Sequence, residues 1–144
     1  MMKIKYRRIK KEDIGGLQKF YKENGMNNAG SISNNFLLKC AVSELKNYIL
    51  FFVAEYKKEI IGAVYFVDQG GLITVWSAVV DKNYRRQGIA TKLVEKGLEI
   101  VNKKKRSMIS AIVDPANTPS IGICRKLGFT AERTRVRMDK VRRS

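Results

Sequence analysis

Residues 72–113 hold the pattern that constrains this chain most. Leu72 to Val80 is a run of apolar and β-branched residues, the mark of a buried strand. A turn follows, Asp81-Lys82-Asn83-Tyr84-Arg85-Arg86-Gln87-Gly88. From Ile89 to Asn102 the residues alternate at helical spacing, with Ile89, Leu93, Leu98 and Val101 inward and Lys92, Glu95, Lys96 and Glu99 outward. Ser107 to Val113 is a second short buried strand. A strand, an amphipathic helix of about four turns and another strand make a right-handed crossover with the two strands parallel.

The rest of the chain builds a sheet around that unit. Met2 to Ile9 reads as a first strand. Glu12-Asp13 then opens a helix to Glu23, with Ile14, Leu17, Phe20 and Tyr21 at helical spacing. Asn24 to Ser33 is polar and rich in Gly and Asn, so it reads as a loop. A second helix is predicted over Asn34 to Lys46, with Leu37, Leu38, Ala41, Val42 and Leu45 as its apolar positions. Ile49 to Tyr56 and Ile60 to Asp68 are strands joined by a tight hairpin at Lys57-Lys58-Glu59, and Gln69-Gly70-Gly71 turns the chain into the strand at Leu72. Past Pro115, Thr118 is the predicted helix N-cap with Pro119 at the first helical position, and Gly128 stops that helix after Leu127. Phe129 to Glu132 and Val136 to Val141 read as final short strands. The expectation is one α/β (α+β) domain over residues 1–144. Its mixed sheet is mostly antiparallel, turns parallel at the crossover, and has helices on both faces.

Composition narrows the chemistry. A chain of 144 residues can bury a core without disulfides or a structural metal. There is no histidine, which excludes Ser-His and Cys-His catalysis and the common zinc sites; no metal is expected. Cys40 and Cys124 have no metal-ligand spacing and read as free thiols in a reducing compartment. No apolar run reaches the roughly 18 residues needed to span a membrane, and no apolar signal segment follows the basic N-terminus. A cytoplasmic protein with no membrane partner is expected. The formal charge of +16 favours anionic partners: nucleic acid, an acidic protein surface or a phosphate-rich cofactor. A generally basic, solvated surface is the plain alternative.

One segment points to a specific anion. A glycine-containing turn between a strand and a helix start gathers several unpaired backbone N–H groups at the positive end of the helix dipole. Gly88 and Ala90 are small enough for a phosphate to approach the backbone, and Arg85 and Arg86 can grip phosphate oxygens at two points. A tight turn with solvated arginines is the alternative.

Arg85-x-x-Gly88-x-Ala90 resembles the acyl-CoA signature of the GNAT superfamily of N-acetyltransferases, [Arg/Gln]-x-x-Gly-x-[Gly/Ala]. The segment from Asn117 through Cys124, Lys126 and Gly128 to Phe129 resembles the family's Asn-x-x-Ala-x-x-Leu-Tyr-x-Lys-x-Gly-Phe. The predicted order of elements is also similar to that family over nearly the whole chain. The resemblance implies an acetyl-CoA-dependent acyltransferase that acetylates an amine by direct attack in a ternary complex. It implies a V-shaped opening between the strand ending at Val80 and the strand Ser107 to Val113, with the pantetheine arm bonded near Val79 and Val80. The turn Arg85, Arg86, Gln87, Gly88, Ile89, Ala90, Thr91 would hold the pyrophosphate, and Asn117 would also contact the cofactor.

Two positions depart from the family. The usual tyrosine acid falls at Cys124, which can donate a proton or be a small buried hydrophobe. The strand Leu72 to Val80 has no carboxylate to serve as base, which leaves Glu55, Asp68, Ser77, Tyr65 or a water. Trp76 is expected to pack in the core or to line the cleft, the core first. The +16 charge disfavours polycationic acceptors, so a protein or peptide amine, or a small neutral or acidic amine, is expected. The alternatives are an acyl-CoA-binding regulatory module with little catalysis, and a basic nucleic-acid or ribosome-associated protein using Lys103 to Arg106 and Arg133, Arg135 and Arg137. Edge strands near the C-terminus allow a monomer or a homodimer.

Overall fold

The first five predicted strands form, the first and fifth shorter than Met2 to Ile9 and Ser107 to Val113, and the predicted strand from Phe129 does not. In chain order the elements are β1 (Lys5–Arg8), α1 (Ile14–Glu23), α2 (Asn34–Val42), β2 (Ile49–Tyr56), β3 (Glu59–Asp68), β4 (Leu72–Val80), α3 (Ile89–Val101), β5 (Met108–Ala111) and α4 (Thr118–Lys126). The computed structural model describes residues 2–24, 34–106, 108–113, 115–131, 138 and 140. It divides into two compact units, Met1–Ile112 and Val113–Ser144. Most of the predicted loop Asn24 to Ser33 and the strand Val136 to Val141 fall outside the described residues. Phe129 to Ala131 is not strand. Among the described residues no helix is long and apolar enough to cross a membrane.

The sheet order is β1-β2-β3-β4-β5. β1 to β4 pair antiparallel, and β4 pairs β5 parallel, as the crossover requires. The hairpin between β2 and β3 turns on Lys57 and Lys58, both at positive φ (49° and 65°), a sign that matches the twist of the strands.

Each face of the sheet has its own helices. Leu17, Phe20 and Tyr21 of α1, with Leu37 and Cys40 of α2, bury against Phe51, Val53, Ala63 and Tyr65. On the other face α3 buries Ile89, Leu93, Val94, Gly97 and Val101. Steps of four from Ile89 to Val101 define this stripe, so Leu98, expected inward, is only half-buried. Gly97 lets α3 approach closely, since its backbone lies against the rings of Phe66 and Phe52. In α2 the inward side is Leu37 and Cys40, while Leu38 and Val42 are exposed, contrary to expectation. Helix α2 stops at Val42, short of Lys46, and a 3-10 turn follows over Glu44–Asn47.

Two ion-pair clusters tie the edges down. The Arg7 guanidinium bonds both Asp13 oxygens at 2.7 and 2.8 Å and Glu55 Oε1 at 2.6 Å, joining β1, the 3-10 turn Lys11–Asp13 and β2. At the end of β3 the Asp68 side chain is 1% exposed. It accepts from Arg106 Nε and Nη2 at 3.0 Å each, from Lys104 Nζ at 3.1 Å and from the Gly70 N–H at 3.0 Å. The Arg106 guanidinium, foremost among these partners, holds the Asp68 carboxyl well below the usual carboxylate range.

A carboxyl depressed in the folded state stabilises above its unfolded pKa of about 3.9 and loses that contribution as pH falls towards the folded value. Asp68→Asn is therefore expected to lower the melting temperature by several degrees at pH 7. The gap to the unsubstituted protein should narrow as pH drops from about 4 towards 2. Thermal melts across that range check it; a gap that stays constant would refute the ionic origin.

Candidate active site

β4 outruns its parallel partner. The pairing with β5 covers Leu72–Met108 to Val75–Ala111. β4 continues to Val80, and among the described residues no strand pairs with residues 76–80 on that side. The register against β3 shifts here too: Ala63 faces Val79 but Tyr65 faces Trp76, so β4 holds one extra residue, a bulge. The Asp81 N–H donates to the Ile61 carbonyl at 2.8 Å. In an antiparallel ladder this makes Gly62–Val80 a pair whose peptide groups turn away from each other. The Val80 N–H and C=O thus face the open side, while Val79 faces β3 opposite Ala63.

Of the two places expected for Trp76, the core is not the one observed: it is 40% exposed, one residue past Val75, where the pairing with β5 ends.

The turn after β4 is held by Asp81. Its Oδ1 accepts from the Asn83 N–H at 2.9 Å and its carbonyl from the Tyr84 N–H at 2.9 Å. Sequence reading did not single out Asp81; its signal is an Asp placed to bond a backbone N–H two residues on. Arg85 then runs extended, and its Nε reaches back to the Val80 carbonyl at 3.0 Å. One guanidinium nitrogen is thereby spent on the strand end. Arg86 and Gly88 both take positive φ, 62° and 76°, with Gln87 between them.

α3 begins at Ile89 without a side-chain cap. Its first ring closes from the Lys92 N–H to the Gly88 carbonyl at 3.0 Å, so the N–H groups of Ile89, Ala90 and Thr91 precede the helical bonds. Backbone amides turned together at the positive end of a helix dipole can hold a phosphate group. A Cβ on Gly88 would meet nothing within 4 Å, so the space over the turn is open to a ligand. Arg85, Arg86, Gln87 and Gly88 are exposed, and Ala90 and Thr91 half-buried. Ile89 is 3% exposed with its side chain in the core, which leaves its amide as the group able to face an anion.

The second unit contains Asn117 and Cys124. Asn117, not Thr118, is the N-cap of α4: its Oδ1 accepts from the Ser120 N–H at 3.3 Å. At the other end Gly128, at φ 93°, closes the helix; its N–H reaches the Arg125 carbonyl at 3.0 Å and the Phe129 N–H reaches that of Cys124 at 2.9 Å. The Gly-Phe pair of the second motif is thus a helix terminator. Cys124 is half-buried, and burial raises its thiol above the ordinary range. Cys40 is buried, with a thiol pushed up to about 11.

The candidate bases fare poorly. Glu55 is bound to Arg7 and Asp68 to Arg106 and Lys104. Tyr65 is 8% exposed and raised by burial. The side chain of Ser77 lies outside the described residues.

The chain is similar in fold to solved structures of acetyltransferases. The chain is 22% identical to the PaiA N-acetyltransferase of Thermoplasma acidophilum in complex with coenzyme A, covering 93% of this chain and 94% of that one at a TM-score of 0.81. It is 16% identical to an aminoglycoside N-acetyltransferase in complex with CoA, covering 97% and 96% at 0.78. It is 21% identical to an aminoglycoside acetyltransferase from an uncultured soil metagenomic sample in complex with sisomicin, covering 97% of each chain at 0.77. These likenesses show the fold. The model of the acetyltransferase (GNAT) family matches residues 17–129. The chain belongs to the GNAT acetyltransferases, enzymes that use acetyl-CoA as cosubstrate.

Proposed function

We propose that the chain, as one domain over residues 1–144, transfers the acetyl group of acetyl-CoA to a primary amine of a protein, peptide or small molecule by direct attack in a ternary complex. The observation that supports this most is the uncapped start of α3 behind Arg86 and Gly88, next along the chain from the open stretch of β4. The amides from Gly88 to Thr91, with Arg85, Arg86 and Gln87 at the rim, are assigned to the pyrophosphate. The backbone near Val79 and Val80 is assigned to the pantetheine arm. The outward Val80 N–H is suited to polarise the acetyl carbonyl, where negative charge builds as the amine attacks. Asn117 Oδ1 is engaged as a cap, so a cofactor contact from this residue falls to its amide nitrogen.

As the carbon–nitrogen bond forms and the carbon–sulfur bond breaks, the amine loses a proton and the departing sulfur gains one. Cys124 is assigned as the donor and regains its proton from solvent; a thiol raised by burial starts the step protonated at neutral pH. Loss of the amine proton is assigned to solvent, since Glu55 and Asp68 are held in ion pairs. Cys124→Ala is expected to leave CoA affinity unchanged and to lower kcat by about tenfold or more. An unchanged kcat would remove Cys124 from the chemistry.

Two relatives are aminoglycoside acetyltransferases. The +16 charge argues against such polycations here and favours a protein or peptide amine, or a small neutral or acidic one. A cytoplasmic monomer or homodimer fits two free cysteines.

A thermal-shift titration with acetyl-CoA, followed by release of CoA in the presence of candidate amines, tests the proposal. No shift at saturation sinks it. A shift without release for any amine favours the second reading, an acyl-CoA-binding module, which the lack of a carboxylate on β4 supports. The nucleic-acid reading has less behind it, since Lys104 and Arg106 are committed to Asp68.

A further inference from the structure

Asn24 caps the C-terminus of α1, and its side chain reaches 57 and 58 residues along the sequence to the start of the turn that leads into the cradle. Its Oδ1 accepts from the Lys82 N–H at 3.1 Å. Its Nδ2 donates to the Phe20 carbonyl at 2.8 Å and, more weakly, to Asp81 Oδ2 at 3.3 Å. Asn24 is itself well fixed. Its own N–H bonds the carbonyls of Phe20 and Tyr21 at 3.1 and 3.3 Å, and those two side chains are 3% and 2% exposed.

Asp81 and Lys82 are thus gripped from two directions. The sheet holds the Asp81 N–H through Ile61, and α1 holds the Asp81 carboxylate and the Lys82 N–H through Asn24. Nothing in the chemistry of acetyl transfer requires an amide at this point. A cradle made of backbone groups, however, is only as accurate as the chain leading into it. Displacing such groups by about an ångström weakens every bond they make at once.

We propose that Asn24 is a positioning residue for the anion cradle: it docks the turn Asp81–Lys82 on the end of α1 and so sets where the amides that follow Arg86 stand. The proposal rests on the reading of that cradle as the CoA pyrophosphate site. It gives α1 a role in cofactor affinity, although no residue of α1 belongs to the cradle.

The test is CoA affinity by calorimetric titration in four variants. Asn24→Ala is expected to weaken CoA about tenfold, the scale of one or two lost hydrogen bonds. Asn24→Asp should be worse, since it sets a carboxylate against Asp81. Asn24→Asp combined with Asp81→Asn restores one donor and one acceptor in the reverse sense and still offers acceptors to the Lys82 and Asn83 N–H groups. It does not restore the bond to Phe20, so a helix-capping role would leave it as impaired as Asn24→Asp alone. The double variant is expected to return to within about threefold of the original affinity. Unchanged affinity in Asn24→Ala, or no recovery in the double variant, overturns the proposal. Gly88→Val separates the two ideas. If that variant binds CoA normally, the pyrophosphate reading fails; if it loses CoA while Asn24→Ala does not, only the positioning role fails.

Discussion

Replacing Gly88 by valine is expected to abolish acetyl-CoA binding while leaving the fold in place. The residue sits at φ 76°, where a side chain costs about 1–2 kcal/mol. Apart from its chain neighbours, a Cβ there meets no protein atom within 4 Å, so the side chain starts into open space. The branched side chain instead enters the space through which a phosphate must reach the amides of Ile89, Ala90 and Thr91. In a thermal-shift titration the unsubstituted protein should gain about 2.7 kcal/mol at 100 times its dissociation constant. The valine variant should gain nothing at the same concentration, and its unliganded melting temperature should fall only by the backbone strain. A full ligand shift in the variant would place the pyrophosphate elsewhere.

Gly97→Leu is expected to have the largest effect on stability. A Cβ at this position would stand 2.7 Å from Phe66 Cζ, and closer still to Cε2 of the same ring. Phe66 is fully buried and packs edge-on against Phe52, so the ring has no free direction in which to retreat. Alanine gains about 1 kcal/mol of helix propensity over glycine. Overpacking typically costs about 1–3 kcal/mol, so even Gly97→Ala should be net destabilising. Leucine should exceed that range, lifting α3 from the sheet and with it the amides at its start. Denaturant unfolding of both variants measures the order; an alanine variant more stable than the original would refute the close approach.

How much of this was legible depended on the range of the interaction. β2 and β4 match their predicted limits, because uninterrupted apolar runs bounded by turn residues leave little freedom. The start of α3 was readable for the same local reason: strand, glycine turn and amphipathic helix adjoin in sequence. The choice between core and cleft for Trp76 was not legible, since its exposure depends on which distant elements cover it and nothing near residue 76 encodes that. The bulge in β4 is equally silent, since an extra residue shows only against its partner β3. The pairing of Asp68 with Arg106, 38 residues away, removed a candidate base that the sequence had left standing. Gly97 was unremarked, because the periodicity marks large apolar residues and not the gap that a neighbouring ring must fill. In α4 the stop at Gly128 was legible, while the N-cap lies at Asn117 rather than Thr118 because the Asn side chain can also accept from an N–H three residues on.

Among the described residues, β4 beyond Val75 has no strand on one side, which has a consequence for the protein in bulk. An unpaired strand edge is a template for the strand of another copy, and sheets commonly guard such edges with lysine, proline or an inward charge. Leu72–Val80 has none of these. If the pantetheine arm lies along this stretch as proposed, it needs the stretch bare, and the guard then lies outside the strand. The +16 charge supplies it as long-range repulsion between copies, felt before edges can meet. Its reach is about 10 Å at 0.1 M salt and about 3 Å at 1 M. On the proposed reading, the +16 charge also gives colloidal protection to a stretch that the ligand arm needs bare, and that protection fades as ionic strength rises.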